Sequence, residues 1–227
     1  MIWTDTGYLL KINNFSENSS VATFLTNSHG LHNGIIYGAT SRSKKKYLQL
    51  GNKFIINWKS KSEDSLGYYN LELLDAISSK FFDHPKKLNL ILCLSELCCK
   101  LLAERHSYSD LYEYTDSFLS NILNKEFLKL YVCWEQELLK SIGFEINPDN
   151  KNFNFYIDDN KNWIFQIDNN KFLYPNFLID TSAIYDDRDL YRGFVINRFI
   201  MKKFIFDPNK IKFPIIRERI EKSINEN

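Results

Sequence analysis

The chain has 227 residues, 44% of them apolar and 15% aromatic, which is enough to fill one large or two smaller cores and excludes a disordered polymer. No apolar run approaches the roughly 18 residues needed to cross a bilayer, and the opening "MIWTDTG" lacks the basic-then-apolar layout of a signal peptide, so a cytoplasmic protein with no membrane partner is expected. The net charge of +1 conceals an asymmetry: residues 1–61 sum to +6, residues 62–150 to −7 and residues 151–227 to +2, which suggests one face for an anionic partner and another that avoids it.

From Gly7 to about Asp75 short alternating runs are split by turn residues, and "GYLLKI", "SVATFLT", "NGIIYGA", "NKFIINWKS" and "GYYNLELL" read as five strands. Five strands in about seventy residues suit a small OB-like Greek-key β-barrel, which also removes exposed sheet edges. The period changes near Asp83. Leu90, Leu94, Leu97 and Leu101 recur at helical spacing after Pro85, predicting a helix over 84–104. A second helix opens after "SYSD", where Ser107 and Asp110 have capping-box spacing, and runs to about 123. Phe127, Tyr131, Trp134 and Leu138 mark a third, which Gly143 is placed to end. "FNFYI" and "WIFQI" around "DDNKN" read as a β-hairpin. A helix follows, with Asp186, Asp187 and Asp189 at its positive end and Lys202 and Lys203 at the other, and a last short helix begins near Pro214 and frays at "NEN". The expected class is α+β, with a nucleic-acid-binding barrel at 1–78 and a helical domain at 79–227 carrying the hairpin at about 150–175.

The strongest chemical signal is basic. Arg42, Lys44, Lys45 and Lys46 lie between the third and fourth predicted strands; Lys53, Lys59 and Lys61 sit on or beside the fourth, interleaved with Tyr47, Phe54 and Trp58. Cations that track phosphates beside aromatic faces that stack on bases are the two ingredients of single-strand binding. Phe54 and Trp58 share one face of their strand, which is either that stacking surface or the lining of the core. Cys93, Cys98, Cys99 and Cys133 fall on helical segments without a CxxC pair, so they read as buried fillers. His29, His32, His84 and His106 have no repeated spacing, and the acid groups Asp158-Asp159 and Asp186-Asp187-Asp189 sit at a turn and a helix start, where acids are ordinary. No phosphate-binding loop, dinucleotide fingerprint or nucleophile elbow occurs, so no catalytic residue, cofactor or metal is expected; a metal-dependent nuclease using Asp186 and Asp187 is the minor reading.

Three stretches resemble the bacterial recombination mediator family RecO. In "GYLLKINNFSENSSVATFLTNSHGLHNGIIYGATSRSK", Glu17, Ser19 and Ser20 match the family's usual E-T-S, and Gly38 precedes the basic loop. "LQLGNKFIINW" is similar to the family's approach to the fourth strand. "WEQELLKSIGFEI" is similar to its helix at Trp134, Glu135, Leu138, Leu139, Gly143 and Phe144. The resemblance implies a non-enzymatic, nucleoid-associated mediator of the RecFOR type. Such a protein binds single- and double-stranded DNA, anneals single strands, works with RecR and the C-terminal tail of single-strand-binding protein, and so indirectly helps load RecA. It assigns Arg42 and Lys44 to Lys46 to the DNA-contacting surface. A protein–protein adaptor without direct DNA contact is the alternative. Many members carry a four-cysteine zinc site after the third helix; here that region, "NFNFYIDDNKNWIFQIDNNKFLYP", has neither thiol nor imidazole, so a zinc-less variant is expected. Stacking of Phe153, Phe155, Trp163 and Phe165 would stand in for the metal.

Overall fold

The computed structural model describes residues 1–62, 65–81 and 83–225. The predicted fraying at "NEN" reaches residues 226 and 227, which lie outside these. The chain divides into two compact units, Met1–Ser120 and Asn121–Asn227, so the strands expected at 1–78 share their unit with two helices.

In the first unit, β1 (Ile2–Ser16), β2 (Ser19–Thr26), β3 (Gly30–Tyr37), β4 (Lys53–Lys59) and β5 (Tyr68–Asp75) follow the order β1-β2-β3-β5-β4. β1 pairs antiparallel with both β2 and β4, because its fifteen residues are long enough to serve two neighbours. β5 spends its length on β4, from Lys59–Tyr68 to Lys53–Asp75, and runs parallel to β3, which it meets at one pair, Ile35–Tyr68. Beside that pair the Ile35 N–H donates to the Gly67 carbonyl at 3.1 Å. The five strands close into a barrel, whose last seam, between β3 and β5, is a single bridge. The parallel approach of β5 is the cause, since it diverges from β3 after its first residue.

Alternation along the strands decides the two faces. Leu9, Phe24, Ile36, Phe54, Ile56, Trp58 and Tyr69 point inward and form the buried cluster, each contributing about 1.5–3 kcal/mol of apolar burial. Between β3 and β4 lies a one-turn helix, α1 (Arg42–Lys45). α2 (Pro85–Leu101) and α3 (Ser109–Ser120) complete the unit. α2 buries Leu90, Leu94 and Leu97, as the periodicity predicts, together with Cys93 and Cys98.

Asp116 on α3 ties that helix to the sheet. It pairs with the Lys53 ammonium and accepts from the Tyr8 hydroxyl at 2.5 Å, while Tyr112 shares a hydrogen bond of 2.9 Å with Thr6. Lys53 also lies over the Tyr8 and Tyr112 rings, 5.4 and 5.9 Å from their centroids. Burial pushes Asp116 up, but the hydrogen bonds from Lys53 and Tyr8 outweigh it and leave the carboxyl below its usual range. Burial likewise opposes the charge on Lys53, and Asp116 more than restores it, so its pKa is raised.

In the second unit, α4 (Phe127–Ser141) ends before Gly143, whose φ of +92° matches its predicted role as helix terminator. α5 (Asp187–Ile200) begins with a capping box between Asp186 and Asp189 and continues into a π-helical turn at Met201–Phe206; α6 (Ile215–Asn225) follows. Arg217 of α6 is fully buried and forks onto Glu135 of α4, with Nη2 3.0 Å from Oε2, and its guanidinium carbon lies 4.4 Å from the centre of the Phe194 ring. The predicted hairpin gains a third strand: β6 (Asn154–Ile157), β7 (Trp163–Ile167) and β8 (Asn170–Leu173) form one antiparallel sheet. Its aromatic cluster centres on buried Phe165, with ring centroids 5.6 Å from Phe153, 5.0 Å from Phe155 and 6.1 Å from Phe172. Among the described residues no helix is long and apolar enough to cross a membrane.

The Asp116 tie has a pH signature. A carboxyl held below its ordinary 3.8 contributes stability above that value and loses it as pH falls through the folded pKa; a lysine held above 10.5 contributes below that value and loses it as pH rises. Urea unfolding of wild type and Asp116→Asn should therefore differ by a steady margin through neutral pH that narrows below 3.8 and above 10.5. A margin independent of pH would show that the charge on Asp116 does not stabilise the fold.

Candidate nucleic-acid interface

The basic turn is built by local hydrogen bonding. Gly38 adopts φ +69°, which a side chain would strain, and turns the chain out of β3. Its N–H donates to the Asn18 carbonyl at 2.6 Å and the Thr40 hydroxyl to the Glu17 carbonyl at 2.9 Å, fastening the turn to the β1–β2 hairpin. Ser41 caps α1 by accepting from the Lys44 N–H at 3.4 Å. The Lys44 ammonium folds back onto the Tyr37 carbonyl at 2.6 Å, whereas Arg42, Lys45 and Lys46 are exposed. No carboxylate among the described residues pairs with any of these four cations, so their field reaches solvent undiminished by a counter-charge of the fold.

The other predicted site residues separate into three groups. Lys59 lies on the outer face directly opposite Tyr68, and Lys61 is exposed just beyond the end of β4. Lys53 is held by Asp116 in an ion pair. The two predicted stacking aromatics are core residues: Trp58 is 3% exposed and donates its indole N–H to the Leu66 carbonyl at 3.1 Å, and Tyr47 is half-buried with its ring 6.1 Å from that of Phe54. Both belong to the inner face or its packing, which resolves the choice left open for the Phe54–Trp58 face.

Two aromatics that sequence reading passed over lie on the outer face instead. Tyr37 is 59% exposed, and its ring lies 5.8 Å from that of half-buried Tyr68. The one bridge between β3 and β5 brings them together on the outer face, with Lys44 bound to the Tyr37 carbonyl and Lys59 paired across from Tyr68. In "GIIYG" the buried partner of the alternation is Ile36, so Tyr37 was legible as outward-facing; its neighbour Tyr68, 31 positions away, was not.

Beside Lys46 is a second feature, a cleft of about 560 Å³ walled by Leu50, Leu73, Leu88, Ile91 and Leu92. Three of its polar lining groups are turned to backbone: Gln49 donates to the Lys45 carbonyl at 2.8 Å, Asn52 to the Tyr47 carbonyl at 2.8 Å, and Ser79 to the Ala76 carbonyl at 2.7 Å. The cleft thus offers hydrocarbon with a cation at its rim. Two of the acids named in the metal reading hold local backbone: Asp158 accepts from the Asn160 and Asn162 N–H groups at 2.9 and 2.8 Å, and Asp186 from the Asp189 N–H at 2.9 Å.

A family model described as "Recombination protein O N terminal" matches residues 1–77, the span of the five strands and the basic turn. The DNA repair protein RecO of Bartonella tribocorum is 25% identical over 97% of this chain and 94% of its own length. That of Bartonella bacilliformis is 27% identical over 96% and 94%, and that of Orientia tsutsugamushi 26% identical over 100% and 99%. Similarity of this kind runs through both compact units, and the family-model match covers the strands of the first.

Proposed function

We propose that this protein is a non-catalytic, DNA-binding mediator of recombinational repair. The observation that carries the reading is the outer-face arrangement of Tyr37 and Tyr68 between Lys44 and Lys59, beside the exposed cations Arg42, Lys45 and Lys46. Phosphates of a single strand release counterions as they meet the basic turn, and bases splayed from the strand stack on the tyrosines. Annealing then needs no reactive group: reducing the repulsion between two polyanions and holding them close is sufficient. The relatives named as DNA repair proteins support the repair role, and the family resemblance supports co-operation with RecR, the tail of single-strand-binding protein and, indirectly, RecA. Duplex DNA would meet the same cations without the stacking.

A second reading, an adaptor that acts through protein contacts, is favoured by the cleft beside Lys46. An acidic peptide with an apolar anchor fits its hydrocarbon walls and cationic rim.

Replacing Lys44, Lys45 and Lys46 together by Ala should lower the salt slope of single-strand binding by roughly two units, from three phosphate contacts at about 0.7 each. An unchanged slope in a folded variant removes the turn from the interface. The double variant Tyr37→Ala/Tyr68→Ala should weaken single-strand binding by about 1–3 kcal/mol per stacked base while leaving that slope intact. For the adaptor, a fluorescent acidic peptide ending in Phe should bind wild type and lose at least tenfold in affinity with Leu92→Asp; peptide binding without any strand binding would select the adaptor.

A further inference from the structure

A second, smaller cavity opens where β1 begins and β4 ends. Trp3 and Trp58 are cross-strand partners with rings stacked at 5.5 Å and 21°. His29 lies on Trp3 at 4.1 Å and 10°, so three rings form a continuous column. Asp5 holds the outer end: its Oδ2 lies 2.8 Å from His29 Nδ1 and accepts from the Ser28 N–H at 2.8 Å. His32 sits edge-on to both indoles at 5.0 Å and is oriented by a 2.8 Å hydrogen bond between its Nδ1 and the Tyr69 hydroxyl. Arg105 closes the side. Its φ is +61°, uncommon for a residue with a side chain, and its N–H donates to the Leu31 carbonyl at 2.8 Å. These groups line about 380 Å³.

The walls define what fits. The cleft beside Lys46 is aliphatic, whereas this cavity presents flat π faces, imidazole edges and a guanidinium. Burial, above all, lowers His32 to a pKa of about 4, so at neutral pH it offers an uncharged hydrogen-bonding edge. A cationic guest would meet Arg105 and the N-terminal ammonium, which donates to the Ser60 carbonyl at 2.6 Å. Those same groups suit an anion attached to the guest.

We propose that this cavity seats a single unstacked nucleobase of a bound strand, its ring extending the His29–Trp3–Trp58 column and its flanking phosphate meeting Arg105. The inference rests on the DNA-binding reading above but uses different residues from the basic turn and the Tyr37–Tyr68 platform.

The test uses the full chain in the Tyr37→Ala/Tyr68→Ala background, so that the platform does not compete. An abasic twelve-nucleotide backbone with one central thymine should bind roughly 5- to 100-fold more tightly than the same backbone with none, the range expected for one base stacked on aromatic rings. Trp3→Leu should bring that ratio close to one with the salt slope unchanged. Arg105→Asn, which keeps a residue tolerant of positive φ, should weaken binding of the thymine-bearing strand and reduce the slope slightly. A ratio of one before mutation, or a ratio that survives both substitutions, overturns the proposal. Thymidine monophosphate separates the two readings: quenching of indole emission without oligomer binding would keep the cavity and remove the strand, whereas no quenching by nucleotide or oligomer rejects the cavity itself.

Discussion

Everything on the binding side of the first unit follows from how its sheet fills its interior. Curving five strands around Phe24, Phe54, Ile56, Trp58 and Tyr69 consumes the large side chains of every second position, and a tightly filled interior leaves no room for a ligand. Recognition must then use the outer face, the loops or the ends of the sheet. The basic turn is a loop, the Tyr37–Tyr68 pair an outer-face contact, and the Trp3 cavity an end. Each is positioned by the core without being part of it.

Electrostatics partition the same way. Lys53 and Lys59 belong to one strand and point to one face, yet the first is neutralised by Asp116 and the second meets a tyrosine. The acidic middle of the sequence thus reaches back to the basic front where Asp116 pairs with Lys53. A cation held at a few ångströms by a carboxylate attracts phosphate weakly, whereas Arg42, Lys45 and Lys46 stand clear of any described carboxylate and retain their field. The summed charge of a segment is therefore a poor guide to which of its members meets a polyanion.

In the second unit a buried ion pair occupies the centre. Arg217 and Glu135 are withdrawn from water, and their attraction offsets the cost of burial only because the fork geometry is complemented by Glu221, Asn197 and the Phe194 carbonyl. Arg217 of α6 thereby joins Glu135 of α4 to the Phe194 carbonyl of α5. The three-stranded sheet has its own aromatic core around Phe165, so its cohesion comes from ring packing.

By itself the sequence determined what is local: five strands from alternation, the α2 and α4 helices from apolar spacing, the helix stop at Gly143, and a run of cations that must sit in a turn after Gly38. The family likeness was legible for the same reason, since its motifs are continuous stretches. Tertiary structure decided what depends on pairs far apart in the chain. It placed Trp58 inside and joined Tyr37 to Tyr68. It also withdrew Lys53 onto Asp116, 63 residues later, and left the sheet's last seam to a single bridge. Alternation says that two residues face opposite ways but not which way is inward, and it carries no information about which distant carboxylate a lysine will find. Those outcomes are settled only when the sheet curves and the helices pack on it.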